Sequence, residues 1–455
     1  MLRNMALKDI WVDKYPAWMV AIALLAALVV VGMLAPPARA ASKTFTVNST
    51  GDQPDASTTD NTCDVDASTT GNQCTLRAAI EQANANGNFS EIDRIKFNIP
   101  GTDVHTISVG TALPATREPV VVNGYSQPGS SVNTLARGTN AHPLVEITPA
   151  AGFTTLANQG GLTVGAQDSA VKGLVINRFP AFMPGIEVSP FVSGHIVNNV
   201  RIEGNFIGTD PSGTTDEGNG GAGINLIGSS GSTVGGSSLA SRNLISGNNL
   251  EGIFIRGITS LGREPANNNL VRGNLIGTKK GAIKLLGNGS DGVSIFDSAT
   301  GTPGAAHDAN GNSLLSNSIS SNGGIGIDLL GADGPNANDA GDADAGPNHL
   351  QNKPFLSSAK TASGTTTIKG SLNSNPNRTY AIQFFSNPSG TNEGRTFVGS
   401  KGVTTDGSGH ASFTFSPSSA VAVGQNVTAT ATRVINTSDP TDTSEFSAPK
   451  TVASS

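Results

Sequence analysis

Four-residue words that begin with glycine recur along the middle of this chain. They are Gly185-Ile186-Glu187-Val188, Gly223-Ile224-Asn225-Leu226, Gly252-Ile253-Phe254-Ile255, Gly292-Val293-Ser294-Ile295 and Gly326-Ile327-Asp328-Leu329. A longer word, Gly204-Asn205-Phe206-Ile207-Gly208-Thr209, returns 69 residues later as Gly273-Asn274-Leu275-Ile276-Gly277-Thr278, and Asn243-Leu244-Ile245-Ser246 returns as Asn317-Ser318-Ile319-Ser320. Repetition at such spacing is the signature of a solenoid, in which each repeat buries its apolar face only against its neighbours. Alternation inside each word sends side chains to opposite faces. Ile224 and Leu226 therefore point inward around an outward Asn225, and Ile253 and Ile255 do the same around Phe254. Gly and Asn tolerate the left-handed backbone of sharp corners, and equivalent asparagines can stack from coil to coil. Because 69 is three times 23, coils of about two dozen residues are expected. The fold predicted over residues 161–352 is a right-handed parallel β-helix; the rival is an antiparallel sandwich with Gly-rich turns.

Composition agrees. With 56 glycines and 14 % charged residues, a helix-rich chain is excluded, since Gly costs about 1 kcal/mol per helical position. The apolar content of 36 % is enough for a core. A net charge of −6 argues against nucleic acid as partner, because phosphate binding needs clustered Lys and Arg.

Residues 1–40 read as an address. Arg3, Lys8 and Lys14 precede an apolar run, Ala17 to Ala35, and Ala38-Arg39-Ala40 offers small residues before a cut after Ala40, the pattern of a signal peptide. An uncleaved anchor is the alternative, since 19 apolar residues can just span a bilayer. Without this segment the chain keeps 24 basic and 32 acidic residues and no Trp. No second long apolar run follows, so no membrane span is expected after cleavage. A secreted or envelope-bound monomer is the expectation. In that compartment Cys63 and Cys74, the whole cysteine supply, are most simply a disulfide, contributing about 2–3 kcal/mol; a reactive thiol or metal pair is the alternative.

One helix is predicted outside the signal segment. Thr75 caps Leu76–Ala85, whose Leu76, Ala79, Ile80 and Ala83 make an apolar face, and Asn86-Gly87 ends it. With the cysteine loop it forms a candidate N-terminal cap, so residues 41–160 are assigned to capping and the first coils. Composition shifts again over 331–352. Alternating strands with polar turns then predict an Ig-like or fibronectin-like β-sandwich over 353–455, serving as a binding or spacing domain.

Cys74-Thr75-Leu76-Arg77-Ala78-Ala79-Ile80 resembles the Cys-Ser-Leu-Arg-Glu-Ala motif of the CSLREA-domain proteins, which are exported and bacterial. Thr75 replaces Ser, and Ala78 replaces Glu, so a reciprocal capping bond is lost. The coil words, Gly346-Pro347-Asn348, Gln351-Asn352, Thr428-Ala429-Thr430-Ala431 and Ser444-Glu445-Phe446-Ser447 are similar to that family's repeats, final coil and appended sandwich. The resemblance implies a pectate-lyase-like β-helix and no single activity.

Chemistry is sparser. Asp333, Asn336, Asn338, Asp339, Asp342 and Asp344 gather hard oxygen ligands within twelve residues, a candidate Ca²⁺ loop without EF-hand spacing; a solvated acidic linker is the alternative. The six His residues are scattered and show no ligand spacing. Neither a nucleophile elbow nor a phosphate loop is present. Asp210, Glu251, Asp291 and Arg256, with Asp216 and Glu217, are candidate catalytic groups, since glycan hydrolysis needs paired carboxylates and lyase chemistry a base near a cation. Ordinary solvated charges are the alternative. Phe179, Phe182, Phe191, Phe206 and Phe254 are possible sugar platforms but are expected in the core. The reading reached from sequence is an extracellular structural, adhesive or glycan-binding module, with an acidic-polysaccharide lyase or hydrolase as the alternative.

Overall fold

The computed structural model describes residues 41–87, 91–155, 159–190, 197–258, 264–297, 309–329, 334–436 and 439–454. The expected signal peptide at 1–40, Phe191 and Asp333 lie outside the described residues. From Ala170 onward each coil carries three short strands, and every strand runs parallel to its counterpart in the next coil. Face A has eight strands, from Thr44–Val47 to Ser313–Leu315; face B has seven, from His105–Thr111 to Ser318–Ile319; face C has six, from Leu162–Val164 to Ile327–Asp328. This is a parallel β-helix, and the solenoid begins at Thr44, well before the repeated words.

All five words fall on face C in strict register: Ile186, Ile224, Ile253, Val293 and Ile327 are stacked partners and at most 2 % exposed. Face B repeats the pattern with Ile176, Ile207, Ile245, Ile276 and Ile319. Burying each such side chain contributes roughly 1.5–3 kcal/mol. The expected coil length is corrected. Face A strands begin at Ala170, Arg201, Thr233, Leu270 and Ser313, so one turn takes 31 to 43 residues. The 69-residue echo spans two coils, because the long word marks alternate turns, and corner loops such as 210–217 lengthen each circuit.

The corners are held by asparagine ladders. Between faces A and B, Asn205, Asn243, Asn274 and Asn317 stack, all at most 3 % exposed. Each Nδ2 donates to the next Oδ1 at 2.9–3.2 Å and to a carbonyl of the preceding coil. The backbone N–H of Asn205 donates to Asn243 Oδ1, and that of Asn274 to Asn317 Oδ1. A second ladder, Asn219–Asn248–Asn288–Asn322, lines the corner between B and C. A third, Asn269–Asn312–Asn348, lines the return to A. Gly208 (φ 86°) turns against the second ladder, where a Cβ would sit 2.4 Å from Ser246 O.

Both ends are closed. Helix α1, Leu76–Ala85, forms as predicted, with Thr75 Oγ1 accepting from Ala78 N at 3.1 Å. Its apolar face joins the core with Phe45, Val47, Ile95 and Phe97, and Cys63–Cys74 is a disulfide. Arg77, 8 % exposed, grips Asp52 through Nε and Nη2 at 3.0 Å and donates to the carbonyls of Thr111 and Ala112. At the other end lies a sandwich of two sheets, antiparallel except where its first strand, Phe355–Ala362, pairs parallel with Ala453–Ser454. It is docked on the last coil rather than hung from it as a spacer. Ile319 and Gly394 exchange two backbone bonds at 3.0 Å, and Phe385 and Phe446 enter the solenoid core. Among the described residues no helix is long and apolar enough to cross a membrane.

Changing Asn274→Ala orphans the buried donors of Asn243. Each costs about 1–3 kcal/mol, so urea unfolding is expected to show a loss of roughly 2–5 kcal/mol. A loss comparable to that of an exposed Asn→Ala change would contradict the ladder's role.

Candidate functional site

Side-chain alternation puts the third letter of each word on the outside of face C. The register aligns Thr163, Glu187, Asn225, Phe254, Ser294 and Asp328 in one row along the solenoid. Two residues on, Ile227, Arg256 and Phe296 form a shorter second row. Arg256 lies over the Phe296 ring, 5.4 Å from its centroid, and Phe254 stands 6.5 Å from Phe296. The residue preceding each word's glycine is also aligned. The carbonyls of Glu251 and Asp291 accept from Gly223 N and Gly252 N, both at 2.9 Å, so the two residues hold equivalent backbone positions one coil apart, a rung spacing of about 4.8 Å.

These rows enclose a cleft of about 450 Å³ lined by Glu251, Phe254, Asp291, Ser294, Phe296 and Asp328. Asp291 is tied in place, Oδ1 accepting from Ile325 N at 2.7 Å and Oδ2 from Ser294 Oγ at 3.0 Å. Burial pushes the Glu251 carboxyl above its ordinary range, and the charge of Asp291 adds to the shift. The pair thus combines a carboxyl inclined to keep its proton with a fixed neighbour. Glu187, farther along the row and 5 % exposed, is pushed up to about 7 by burial, against hydrogen bonds from Asn225 (2.9 Å) and Ser189.

Of the sequence candidates, Glu251 and Asp291 line this cleft, and Arg256 flanks it. Asp210 does not: its Oδ1 accepts from Thr214 N and Thr215 N at 2.9 and 2.8 Å, organising a corner turn. Asp216 bonds Gly218 N, and Glu217 pairs with Arg178 at 2.7 Å. Phe179 and Phe206 are core, as expected; Phe182 is 83 % exposed, which corrects its core expectation, and Phe254 faces the cleft, as the alternation in its word predicts and against its expected place in the core. Glu187, Asp328 and Phe296 were missed. The signal for the first two was present, since both are third letters of the word.

A second cluster lies between solenoid and sandwich. Ligand atoms of Asp339, Asp342 and Asp344 fall within 4.8 Å of one another. Asp342 accepts from Asn352 N at 2.7 Å and from the Ser374 hydroxyl. Asp339 accepts from Ala343 N at 2.9 Å. Asp344 Oδ1 is buried without a hydrogen-bond partner, and burial with the two neighbouring charges raises this carboxyl to about 6. Asn338 and Asn336 are turned elsewhere, pairing with the Lys353 backbone and with Glu445.

No protein-family model matches the chain, and no curated protein matches it in sequence. Among solved structures it is similar to ORF18 of Geobacillus virus E2 (12 % identity, TM-score 0.30, covering 97 % of this chain and 80 % of that one). It is also similar to the enzymatically active domain of Bacteriophage CBA120 tailspike protein 2 (10 %, 0.20, 79 % and 71 %). A third is tailspike gp49 of the Acinetobacter baumannii bacteriophage Fri1, a capsular polysaccharide depolymerase (9 %, 0.12, 80 % and 79 %). Likeness at these scores assigns no function to this chain.

The raised Glu187 has a definite pH signature. Its contribution to stability is complete below the ordinary glutamate value near 4.5 and is lost as pH rises through about 7. Between pH 5 and pH 8.5 the wild type is expected to lose about 2–4 kcal/mol more than Glu187→Gln, read by urea unfolding at both pH values. Parallel losses in the two proteins would contradict a buried, raised carboxyl.

Proposed function

We propose that this protein is an exported β-helix module that binds a hydroxyl-rich glycan along face C. The observation that carries the reading is the accessible part of the in-register outer face, where Asn225 and Phe254 stand beside Arg256, Phe296, Glu251 and Asp291, while Glu187, Ser294 and Asp328 of the same row are buried beneath it. A glycan is itself a periodic ligand. Aligned rungs offer it repeated side chains at fixed spacing, with ring faces for the apolar sides of sugars and carboxylates and amides for hydroxyls. Location outside the cytoplasm is part of the proposal, supported by the Cys63–Cys74 disulfide. So is kinship with the CSLREA-type exported proteins, supported by Cys74–Ile80 at the capping helix. The expected test is direct. Calorimetry against a panel of neutral oligosaccharides detects a binder, and Phe254→Ala with Phe296→Ala weakens it at least tenfold, about 1.4 kcal/mol, at unchanged melting temperature. A panel without any binder, or a double variant that binds like the wild type, refutes the reading.

Cleavage is a second reading, favoured by one feature: Glu251 and Asp291 line the same cleft from neighbouring coils, with the Glu251 carboxyl raised by burial. Such a pair suits a general acid beside a carboxylate that directs water or stabilises charge, and Arg256 is the nearby cation a lyase on acidic polysaccharide would need. Turnover measured by reducing ends or ultraviolet absorption, abolished by Glu251→Gln, would establish it.

The proposal assigns Ca²⁺ to Asp339, Asp342 and Asp344. The donor set is all hard oxygen, and Asp344 Oδ1 is a buried acceptor without a donor. Bound there, the ion would brace the junction of solenoid and sandwich. Added Ca²⁺ is expected to raise the melting temperature by several degrees in wild type and not in Asp344→Asn. An unchanged wild-type transition at millimolar Ca²⁺ refutes the assignment.

A further inference from the structure

The acidic surplus of this chain makes a cluster of unopposed cations informative. At the corner between faces A and B, a cleft of about 340 Å³ is lined by four arginines, Arg137, Arg242, Arg272 and Arg395, and no Asp or Glu is among its lining residues. The four come from separate parts of the chain. Arg137 lies on the excursion after the Gly124–Ser126 turn, and Arg242 precedes the face B strand Leu244–Ile245. Arg272 ends the face A strand Leu270–Arg272, and Arg395 belongs to the sandwich, just before Thr396–Thr404.

Their roles differ. Arg242 is a strut: it donates to the carbonyls of Gly273, Leu135 and Ala136 at 3.0 Å and of Gly138 at 2.5 Å. These bonds fix the cleft wall but leave its charge uncompensated, since carbonyls are neutral. Arg395 is anchored by docking of the sandwich: its carbonyl accepts from Ser318 Oγ at 2.6 Å, its N–H donates to Asn387 Oδ1 at 2.9 Å, and Nη2 donates to Ile283 O. Its Nε is nevertheless buried without a partner. The guanidinium groups of Arg137 and Arg272 form no hydrogen bond or ion pair among the described residues. Like charges line this cleft around a donor that nothing among the described residues satisfies.

We propose that this cleft is an oxyanion site that takes the carboxylate or sulfate group of an acidic saccharide. Guanidinium is planar and presents paired donors that match such groups. The volume falls within the roughly 300–1,000 Å³ of small-molecule sites and exceeds the needs of a bare inorganic anion. Leu275, Ala282 and Phe397 supply an apolar wall for a sugar ring. The site is separate from face C and does not depend on the glycan reading given above.

The test uses the full chain carrying Phe254→Ala and Phe296→Ala, so that face C does not contribute. Calorimetry at low salt compares trigalacturonate, maltotriose and sodium sulfate. Trigalacturonate is expected to bind and maltotriose not to. Arg272→Gln and Arg395→Gln should each weaken trigalacturonate at least tenfold, with Arg272→Lys recovering part of the loss. Arg272 makes no side-chain bond among the described residues, so its variant should keep the wild-type melting temperature and decides the question alone if Arg395→Gln misfolds. Absence of trigalacturonate binding, or equal binding by the Arg272→Gln variant, overturns the proposal. Sulfate binding as tightly as trigalacturonate overturns the saccharide assignment.

Discussion

A coil of a parallel β-helix cannot satisfy its own backbone. Its N–H and C=O groups point along the axis, so each coil depends on the next, and the last has donors with nowhere to go. Much of the molecule answers that constraint. Inside the stack the asparagine ladders carry the pairing around corners where strands cannot reach. At the C-terminal end the sandwich supplies the missing acceptors. Glu393 receives Ser321 N and the Asn322 amide, which ends the second ladder on a carboxylate. Asp442 receives Gly311 N at 2.7 Å, Thr443 Oγ1 receives Leu314 N at 2.9 Å, and Gln383 Oε1 receives Ser316 N at 2.9 Å. Glu445, 3 % exposed, takes the amide of Asn336 and pairs with Lys353 at 3.4 Å. Burial raises both Glu393 and Glu445. A cap built from buried acids is stabilising only while it is seated, because removing either partner leaves a charge or a donor stranded.

This arrangement explains what could be read from the chain. The inward aliphatics and corner asparagines have to recur because each touches its own equivalent, so the words survive in the text. The helix at Leu76–Ala85 was legible because capping and periodicity are local. Coil length was not, because excursions such as 210–217 lie outside the stacked positions and are free to vary. The closing contacts were not legible either. Glu393, Asp442 and Glu445 meet groups 71 to 131 residues away, and nothing local marks a carboxylate as a ladder's end.

The same distinction divides the candidate sites. Glu251 and Asp291 were named as carboxylates in or beside the coils, and their place before the repeated glycines shows why they align; Glu187 and Asp328 could have been found by reading the third letter of each word. Face C is a product of register, so its chemistry is written periodically. The arginine cleft has no such text. Its four members stand at unrelated spacings and meet only because a corner loop, two coils and the docked sandwich converge.

Charge then separates what the two surfaces can hold. Face C gathers Glu187, Glu251, Asp291 and Asp328 along one side, with Arg256 at its edge. A polyanion laid along it would meet the carboxyl groups of Glu251 and Asp291 in the cleft and the buried acids Glu187 and Asp328 beneath the same face. Hydroxyl-rich, uncharged sugar units suit that face better, because carboxylates accept their hydrogen bonds without repulsion. Under the oxyanion proposal an acidic unit would find its complement at the corner between faces A and B, where arginines line the cleft and no Asp or Glu is among the described lining residues. If both proposals hold, a heteropolymer that alternates neutral and acidic sugars would meet two chemistries at different places around one solenoid. Cooperation between them would depend on the glycan being long enough to wrap from one to the other.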